Sequence, residues 1–425
     1  MFARLQLGFY QTRFNEAVQT FLAVDHDNIG PSLRSGLSLL KTPVLSFKFI
    51  KRLSMIDANS WNAVSGKDYP FTRYEFLKAF EDSGAVGGDS GWVINHLLVY
   101  SSEDLVAVMP NYLKHHSYGE YVFDHAWADA YQRHGLQYYP KLLSTIPFSP
   151  LTGPRLCVSA GQDKRYIQQA IVDFMTQHCE KKKISSWHIL FPNESDSNNF
   201  EDKLLKRRAV HFQWFNRDYQ HFDNFLDTFS SRKRKNLRKE RKLVEEQGIQ
   251  LEVFEGDSIP DSIWERFYYF YQMTYAKRSG HGGYLCKSFF QTLAKEMPES
   301  IVLVLAKHGS EYIAGALNFR DSNTLYGRYW GCLKEFKHLH FECCYYQGIE
   351  YCIKNKLERF DPGVQGEHKI QRGFRPVFTY SSHFINDVNF RHAIAGFLEQ
   401  EDQMIQEYQL DTCKYLPFKS VKQDS

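Results

Sequence analysis

Several things are scarce in this sequence, and each shortage excludes a class of protein. No uninterrupted apolar run reaches the roughly 18 residues that a membrane-spanning helix needs. The best stretch, Leu37–Ile50, is cut by Lys41, Pro43 and Lys48. The start lacks the basic, apolar and small-residue layout of a secretory leader, so a cytoplasmic location is expected. Charge of one sign is missing too: 52 Lys and Arg against 49 Asp and Glu leave +3 over 425 residues. That excludes a uniformly basic, histone-like protein but not a local patch. The eight cysteines, Cys157, Cys179, Cys286, Cys332, Cys343, Cys344, Cys352 and Cys413, make no CxxC pair. Free buried thiols in a reducing compartment are expected. Histidines fall in no HExxH or similar spacing, so no metal is expected. No G-x-x-x-x-G-K-[ST] pattern occurs, which leaves nucleoside triphosphate hydrolysis without support. Aromatic residues, by contrast, are abundant: 34 Phe and 26 Tyr suit large β-rich cores and broad binding grooves.

Patterning along the chain divides it in two after an extension. Residues 1–53, with Gly30–Pro31 and weak periodicity, are expected to be a loosely attached N-terminal extension. Trp92–Tyr100 and Leu105–Tyr112 read as a hairpin around the polar tip Ser101–Asp104. Helices are expected over Phe123–His134, Asp163–His178 and Phe200–Arg208. Strands are expected over Tyr138–Pro147, Trp187–Phe191 and Val210–Asn216. The second half repeats that order. A hairpin of Ile301–Lys307 and Tyr312–Phe319 is followed by a strand at Thr324–Trp330 and a helix at Phe341–Asn355. Strands at Arg359–Asp361 and Val377–Phe384 and a final helix near Asn389–Leu410 complete it. The expected fold is α/β, two tandem domains at 54–220 and 221–425, each a mixed, mostly antiparallel sheet with flanking helices.

Between the halves, Phe222–Gln247 reads as a helix carrying SSRKRKNLRKERKLVEEQG (Ser230–Gly248). Eight of the twelve residues from Ser231 to Lys242 are Lys or Arg. Arg232, Lys235, Arg238, Lys239 and Lys242 would lie on adjoining faces, a surface for a phosphate-bearing ligand. A solvated helix whose charge is offset by Glu240, Glu245 and Glu246 is the alternative.

Tandem halves, the basic helix opening the second half, the helix Trp264–Arg278 before a hairpin, and RFDPGVQGEHKIQRGF (Arg359–Phe374) together resemble the Fem-type peptidyltransferases. HSYGEYVFDHAWADAYQRHGLQYYPKLLSTIPFSPLTGPRL (His116–Leu156) and QGEHKIQRGFRP are more specifically similar to the bacterial Fem-related family of N-acyltransferases labelled peptidoglycan biosynthesis or recognition proteins. The resemblance covers about residues 54–410 and implies two domains of the GNAT acetyltransferase fold. Three departures stand out. No inserted pair of long helices is visible. The late Fem motif F-K-x-G-F is Ile370–Phe374, IQRGF, with Gln371 at the lysine position between Lys369 and Arg372. The Q/R-x-x-G-x-G/A pyrophosphate loop of acetyl-CoA enzymes is absent in clear form.

Acyl transfer to an amine requires a neutral amine, a stabilised carbonyl oxygen and reactants held in register. Three clusters fit. GVQGEHK (Gly363–Lys369), with Asp361 upstream, offers Glu367 and His368 as catalytic donors or bases, Asp361 as a further catalytic carboxylate or a turn cap, and Gln365, Lys369 and Arg372 as substrate contacts. HHSYGEY (His115–Tyr121) offers His116, Tyr118 and Glu120, with Lys141 and Arg155 in the same half. TYAKRSGHGGY (Thr274–Tyr284) offers Lys277 and Arg278 on a flexible cationic loop for donor phosphates. The expected function is an N-acyltransferase, with no tightly bound cofactor. It would use acyl-CoA or aminoacyl-tRNA as co-substrate and an amine acceptor such as a peptidoglycan precursor. A non-catalytic RNA- or glycan-binding protein using residues 231–242 is the competing reading.

Overall fold

A computed structural model describes residues 44–200, 203–280, 282–364 and 366–419. The first half contributes β1 (Leu45–Ile50), β2 (Trp92–Ile94), β3 (His96–Ser101), β4 (Asp104–Met109), β5 (Tyr112–Lys114), β6 (Lys141–Ser144), β7 (Cys157–Val158) and β8 (Ser186–Leu190). Its principal helices are α1 (Ala58–Ser65), α2 (Tyr74–Asp82), α3 (His125–Arg133) and α4 (Lys164–Lys182). The expected hairpin is present but broken in the middle. Pro110 has no N–H to give a ladder, and across from it Asn95 N–H donates to Asn111 O at 2.9 Å while Asn111 Nδ2 donates to Asn95 O at 3.0 Å. The outer piece, β3–β4, therefore joins a four-stranded sheet ordered β1-β3-β4-β7, and the inner piece, β2–β5, joins a second, longer sheet. Leu45–Ile50, expected within the loose extension, pairs with β3 over all six residues. Its alternating Leu45, Phe47 and Phe49 pack against the core that α4 covers. Residues 1–43 lie outside the described residues. α4 starts where Asp163 accepts from Tyr166 N–H at 3.0 Å, a side-chain N-cap.

The first half ends with β9 (Leu205–Phe215), and the second runs α5 (Phe222–Asp227), α6 (Ser231–Glu246), β10 (Ile249–Glu255), α7 (Asp261–Ser279), α8 (Lys287–Glu296), β11 (Ile301–His308), β12 (Glu311–Arg320), β13 (Thr324–Cys332), α9 (residues 339–354), β14 (Arg359–Asp361), β15 (Arg375–Ile385) and α10 (Val388–Cys413). Two expectations change here. The stretch 205–208 is the start of β9, not the end of a helix. Arg207 and Arg208, which make it look like a helix surface, pair instead with Glu401 and Asp402 on α10. The single basic helix is two, broken at Thr228–Ser230 between α5 and α6.

The long sheet is ordered β10-β11-β12-β13-β14-β9-β15-β8-β6-β5-β2. Each half contains a parallel pair joined by a helix, β6–β8 through α4 and β13–β14 through α9. This is the tandem mixed α/β arrangement expected from the sequence. Where the halves meet, they exchange last strands: β15 sits between β8 and β9, and β9 sits between β15 and β14. No gap separates the halves near residue 220. α7 crosses β12 and β13 where Gly315 faces Gly331 in register. A Cβ on Gly331 would lie 2.2 Å from the Phe270 carbonyl carbon and oxygen, so only glycine allows this approach.

Candidate functional site

β13 and β14 pair only through Thr324–Arg359, Leu325–Phe360 and Tyr326–Asp361. They then part, while β13 keeps its other neighbour, β12, as far as Cys332. The wedge so formed encloses about 200 Å³, lined by Gly327 and Tyr329 of β13, Tyr345 of α9, and Val364, His368 and Lys369 of the loop after β14. α9 is not a uniform α-helix: Glu342–Tyr346 takes a π turn, a distortion common at functional sites, and Cys344 and Tyr345 in that turn face the wedge. Gly327 lets the loop come close, since a Cβ there would meet Pro362 Cα at 3.2 Å.

The loop's polar groups fall into distinct roles. Lys369 is 2% exposed and its Nζ donates to Gly363 O at 2.5 Å. Burial lowers its ammonium to about 8, against the pull of Asp361. His368 Nε2 lies 2.8 Å from Tyr345 OH. The residue is exposed overall, but partial desolvation of the ring, with Arg372 and Lys369 nearby, pushes the imidazole down to about 4, so it is neutral near pH 7. Gly366, at φ +101°, leaves the space its ring needs; a Cβ there would meet His368 Cε1 at 1.9 Å. Asp361, also buried, accepts from Gly363 N–H at 3.0 Å and Gln213 Nε2 at 2.8 Å, which fixes the turn at the wedge's apex. Burial raises its carboxyl above the usual range.

Arg372 points the other way. It grips Glu240 of α6 at 2.8 and 2.9 Å, donates to His368 O at 2.7 Å, and stacks 3.4 Å from the Phe341 ring centre. Gln371, at the Fem lysine position, accepts from Lys233 and donates to Tyr415 O at 3.0 Å. Of the three neighbours, Lys369 alone lines the wedge. Glu367 is exposed and accepts from Tyr408 OH of α10 at 2.9 Å. Gln365 and the Arg278 side chain lie outside the described residues.

Beyond Trp330 and His340, a cavity of about 290 Å³ continues toward the start of α9, between Lys277 and Lys334. On α6 the positive charge is divided. Arg234, Arg238 and Arg241 are matched by Asp227, Asp223 and the pair Glu342 and Glu350. Arg232, Lys235 and Lys239 are exposed and spaced three and four apart, one helical stripe. Among the described residues they have no ion-pair partner.

The first-half candidates do not line the wedge. Lys141 is fully buried, with its Nζ 2.8 Å from Ser117 Oγ, 2.8 Å from Glu120 Oε2, and bound to Asp124. Burial raises the Glu120 carboxyl to about 7 despite the neighbouring Lys141. Arg155 is likewise buried and spends its guanidinium on the carbonyls of Leu190, Pro154 and Leu151. It is a strut between loops rather than a clamp on substrate. His116 binds Ser90 O at 3.0 Å and Lys114 at 3.1 Å, and Tyr118 is exposed. Sequence reasoning missed Tyr345, whose place on the apolar face of the expected helix made it look like core.

Among the described residues no three His, Cys, Asp or Glu side chains converge as a metal site requires, and no helix is long and apolar enough to cross a membrane. The cysteines form no disulfide; Cys413 is exposed, and Cys286 and Cys344 are partly so.

The family described as peptidoglycan biosynthesis/recognition, FemAB-like, matches residues 52–420. No curated protein matches the chain. Similar solved structures include FemX, at 12% identity and a TM-score of 0.48, covering 78% of this chain and 96% of that one. A tandem GNAT protein from the clavulanic acid biosynthesis pathway is 10% identical, with a TM-score of 0.44 over 81% and 99% of the two chains. L-PGS from Bacillus licheniformis is 13% identical, with a TM-score of 0.42 over 76% and 95%.

Proposed function

We propose that this chain, which belongs to the FemAB-like family, is an N-acyltransferase that moves an acyl or aminoacyl group to a primary amine in the wedge between β13 and β14. The observation that carries the reading is a buried ammonium, Lys369, beside a neutral imidazole, His368, where two parallel strands part.

The chemistry follows from these groups. The amine attacks the donor's carbonyl carbon, a C–N bond forms, and the carbonyl oxygen gains negative charge next to Lys369. A preorganised cation in a dry site stabilises that charge far more than water does. The amine nitrogen, now acidic, gives its proton to His368, and the bond to the leaving sulfur or oxygen breaks. Tyr345, hydrogen-bonded to His368, is placed to return the proton to the leaving group. No covalent enzyme intermediate is needed. Asp361 serves as the apex brace and Glu367 as a tie to α10.

The donor carries phosphates, and two surfaces suit them. Lys277, Lys334 and the start of α9 suit the pyrophosphate of an acyl-CoA. The Arg232–Lys235–Lys239 stripe suits the backbone of an aminoacyl-tRNA. The family description makes an amine-bearing peptidoglycan precursor the acceptor to try first. Calorimetric titration of the full chain with CoA and acetyl-CoA at moderate salt separates the donors: saturable micromolar binding identifies CoA, and no heat at millimolar ligand transfers the assignment to charged tRNA. If neither donor binds, or if Lys369→Met leaves turnover intact, the reading fails.

A further inference from the structure

Behind the wedge lies a second chamber that the roles above do not use. It holds about 310 Å³ and is enclosed where β9 and β15 meet α10 and residues 121–127. Its walls are mainly apolar, with Val122, Trp127, Phe191, Val210 and Phe397 among them. The charges at its rim are already matched. Arg207 forks Glu401 with two hydrogen bonds of 2.7 Å, and Arg208 pairs with Asp402. His211 is different. It lines the chamber, is 6% exposed, and its Nδ1 has no hydrogen-bond partner. Burial and nearby Lys369 push its imidazole down to about 3, so it is neutral and offers one uncharged hydrogen-bonding atom. A buried polar atom without a partner is unfavourable, and a ligand atom would relieve it.

The chamber's position says which reactant it serves. Val364 borders both the wedge and the chamber, so the two lie back to back across the loop after β14. The cationic cavity for a donor's phosphates opens from the opposite end of the wedge, past Trp330 and His340. Donor and acceptor can then enter from different sides, with their reacting atoms held in register in the wedge.

We infer that this chamber holds the apolar body of the amine acceptor, an uncharged aliphatic or aromatic group with one hydrogen-bonding atom that meets His211 Nδ1. At about 30 Å³ per water-sized group, it has room for roughly ten non-hydrogen atoms. The inference rests on the acyl-transfer reading, and it makes the enzyme select amphipathic amines over small polar ones.

Binding of n-alkylamines from butylamine to decylamine to the full chain, measured by calorimetry with no donor present, tests it. Affinity is expected to rise about fourfold per methylene. Ala126→Phe, which fills the chamber from α3, should flatten that dependence. His211→Leu should leave the alkyl series unchanged but weaken tryptamine, which carries an indole N–H, about fivefold. An affinity blind to chain length in the unaltered chain would overturn the inference, and that result does not depend on any variant folding. An undiminished dependence in folded Ala126→Phe would overturn it too. The two readings fail separately. Chain-length-dependent binding without turnover removes acyl transfer but keeps an apolar site, whereas turnover with acceptors of any chain length removes the chamber's role alone.

Discussion

Replacing Lys369 by methionine separates what a residue does for the reaction from what it does for the fold. Lys369 is 2% exposed, and its Nζ makes one protein hydrogen bond, to Gly363 O. Burial has lowered its ammonium from 10.5 to about 8, which corresponds to roughly 3 kcal/mol of unfavourable charge burial. Against that stands a charged hydrogen bond of about 1.5–3 kcal/mol. Lys369→Met should therefore be as stable as the natural chain at pH 7, or more stable by up to ~2 kcal/mol. A folded-state value below the unfolded one means that the natural chain gains stability between pH 8 and 10.5, as the folded lysine sheds its proton first. The variant's advantage is thus full below pH 8 and gone above about 10.5. Turnover should fall about 100–1000-fold, the usual cost of losing a group that faces a developing oxyanion. Urea denaturation of both proteins at pH 7 and pH 10, with single-turnover transfer from the donor found by calorimetry, reads both quantities. A variant several kcal/mol less stable at pH 7 would refute the reasoning, because Lys369 would then be a structural brace; unchanged turnover would remove it from the chemistry.

Lys141→Met leaves Glu120 and Asp124 buried without their shared cation, and should cost about 3–5 kcal/mol. The drop in Tm should be larger at pH 8 than at pH 5.5, where a carboxyl can take up a proton; equal drops would contradict the cluster's assignment. Gly331→Ala forces α7 off β13 and should destabilise by at least the ~1–3 kcal/mol of an overpacked core, measured by thermal unfolding followed by circular dichroism. Neutralising Arg232, Lys235 and Lys239 to Gln should leave Tm unchanged and lower the salt slope of tRNA binding, by about 0.7–0.9 for each phosphate that the stripe no longer neutralises. Neutralising the paired Arg241 should instead lower Tm, because Glu342 and Glu350 lose their partner.

Much of the architecture was legible wherever local pattern decides it. α4 starts at Asp163 as expected, the 92–112 hairpin has its turn where the polar tip lies, and the helix expected over Phe341–Asn355 forms as α9. What failed was long-range. Nothing in LKRRAVHF marks β9 as a strand, because the arginines that disguise it are matched by α10, nearly two hundred residues away. The site was half visible. GVQGEHK reads as a functional loop from its glycines and titratable side chains. Which of Lys369, Gln371 and Arg372 turns inward depends on Glu240 and Tyr415 capturing the other two, and no spacing rule reveals that. Lys141 and Arg155 looked like ligand-binding groups because a lone cation in a polar segment gives no sign that its partners are buried with it.

The strand exchange has a consequence for how the chain is made. β8 needs β15 as a neighbour, and β15 ends at Ile385. While the ribosome works from residue 190 to that point, the first half's part of the long sheet, β8-β6-β5-β2, has an open edge at β8 for roughly 10–40 s at synthesis rates of about 5–20 residues per second. Such an edge templates unwanted pairing. A nascent chain stalled before residue 375 should therefore remain bound to holdase chaperones, and release should come only as β15 emerges.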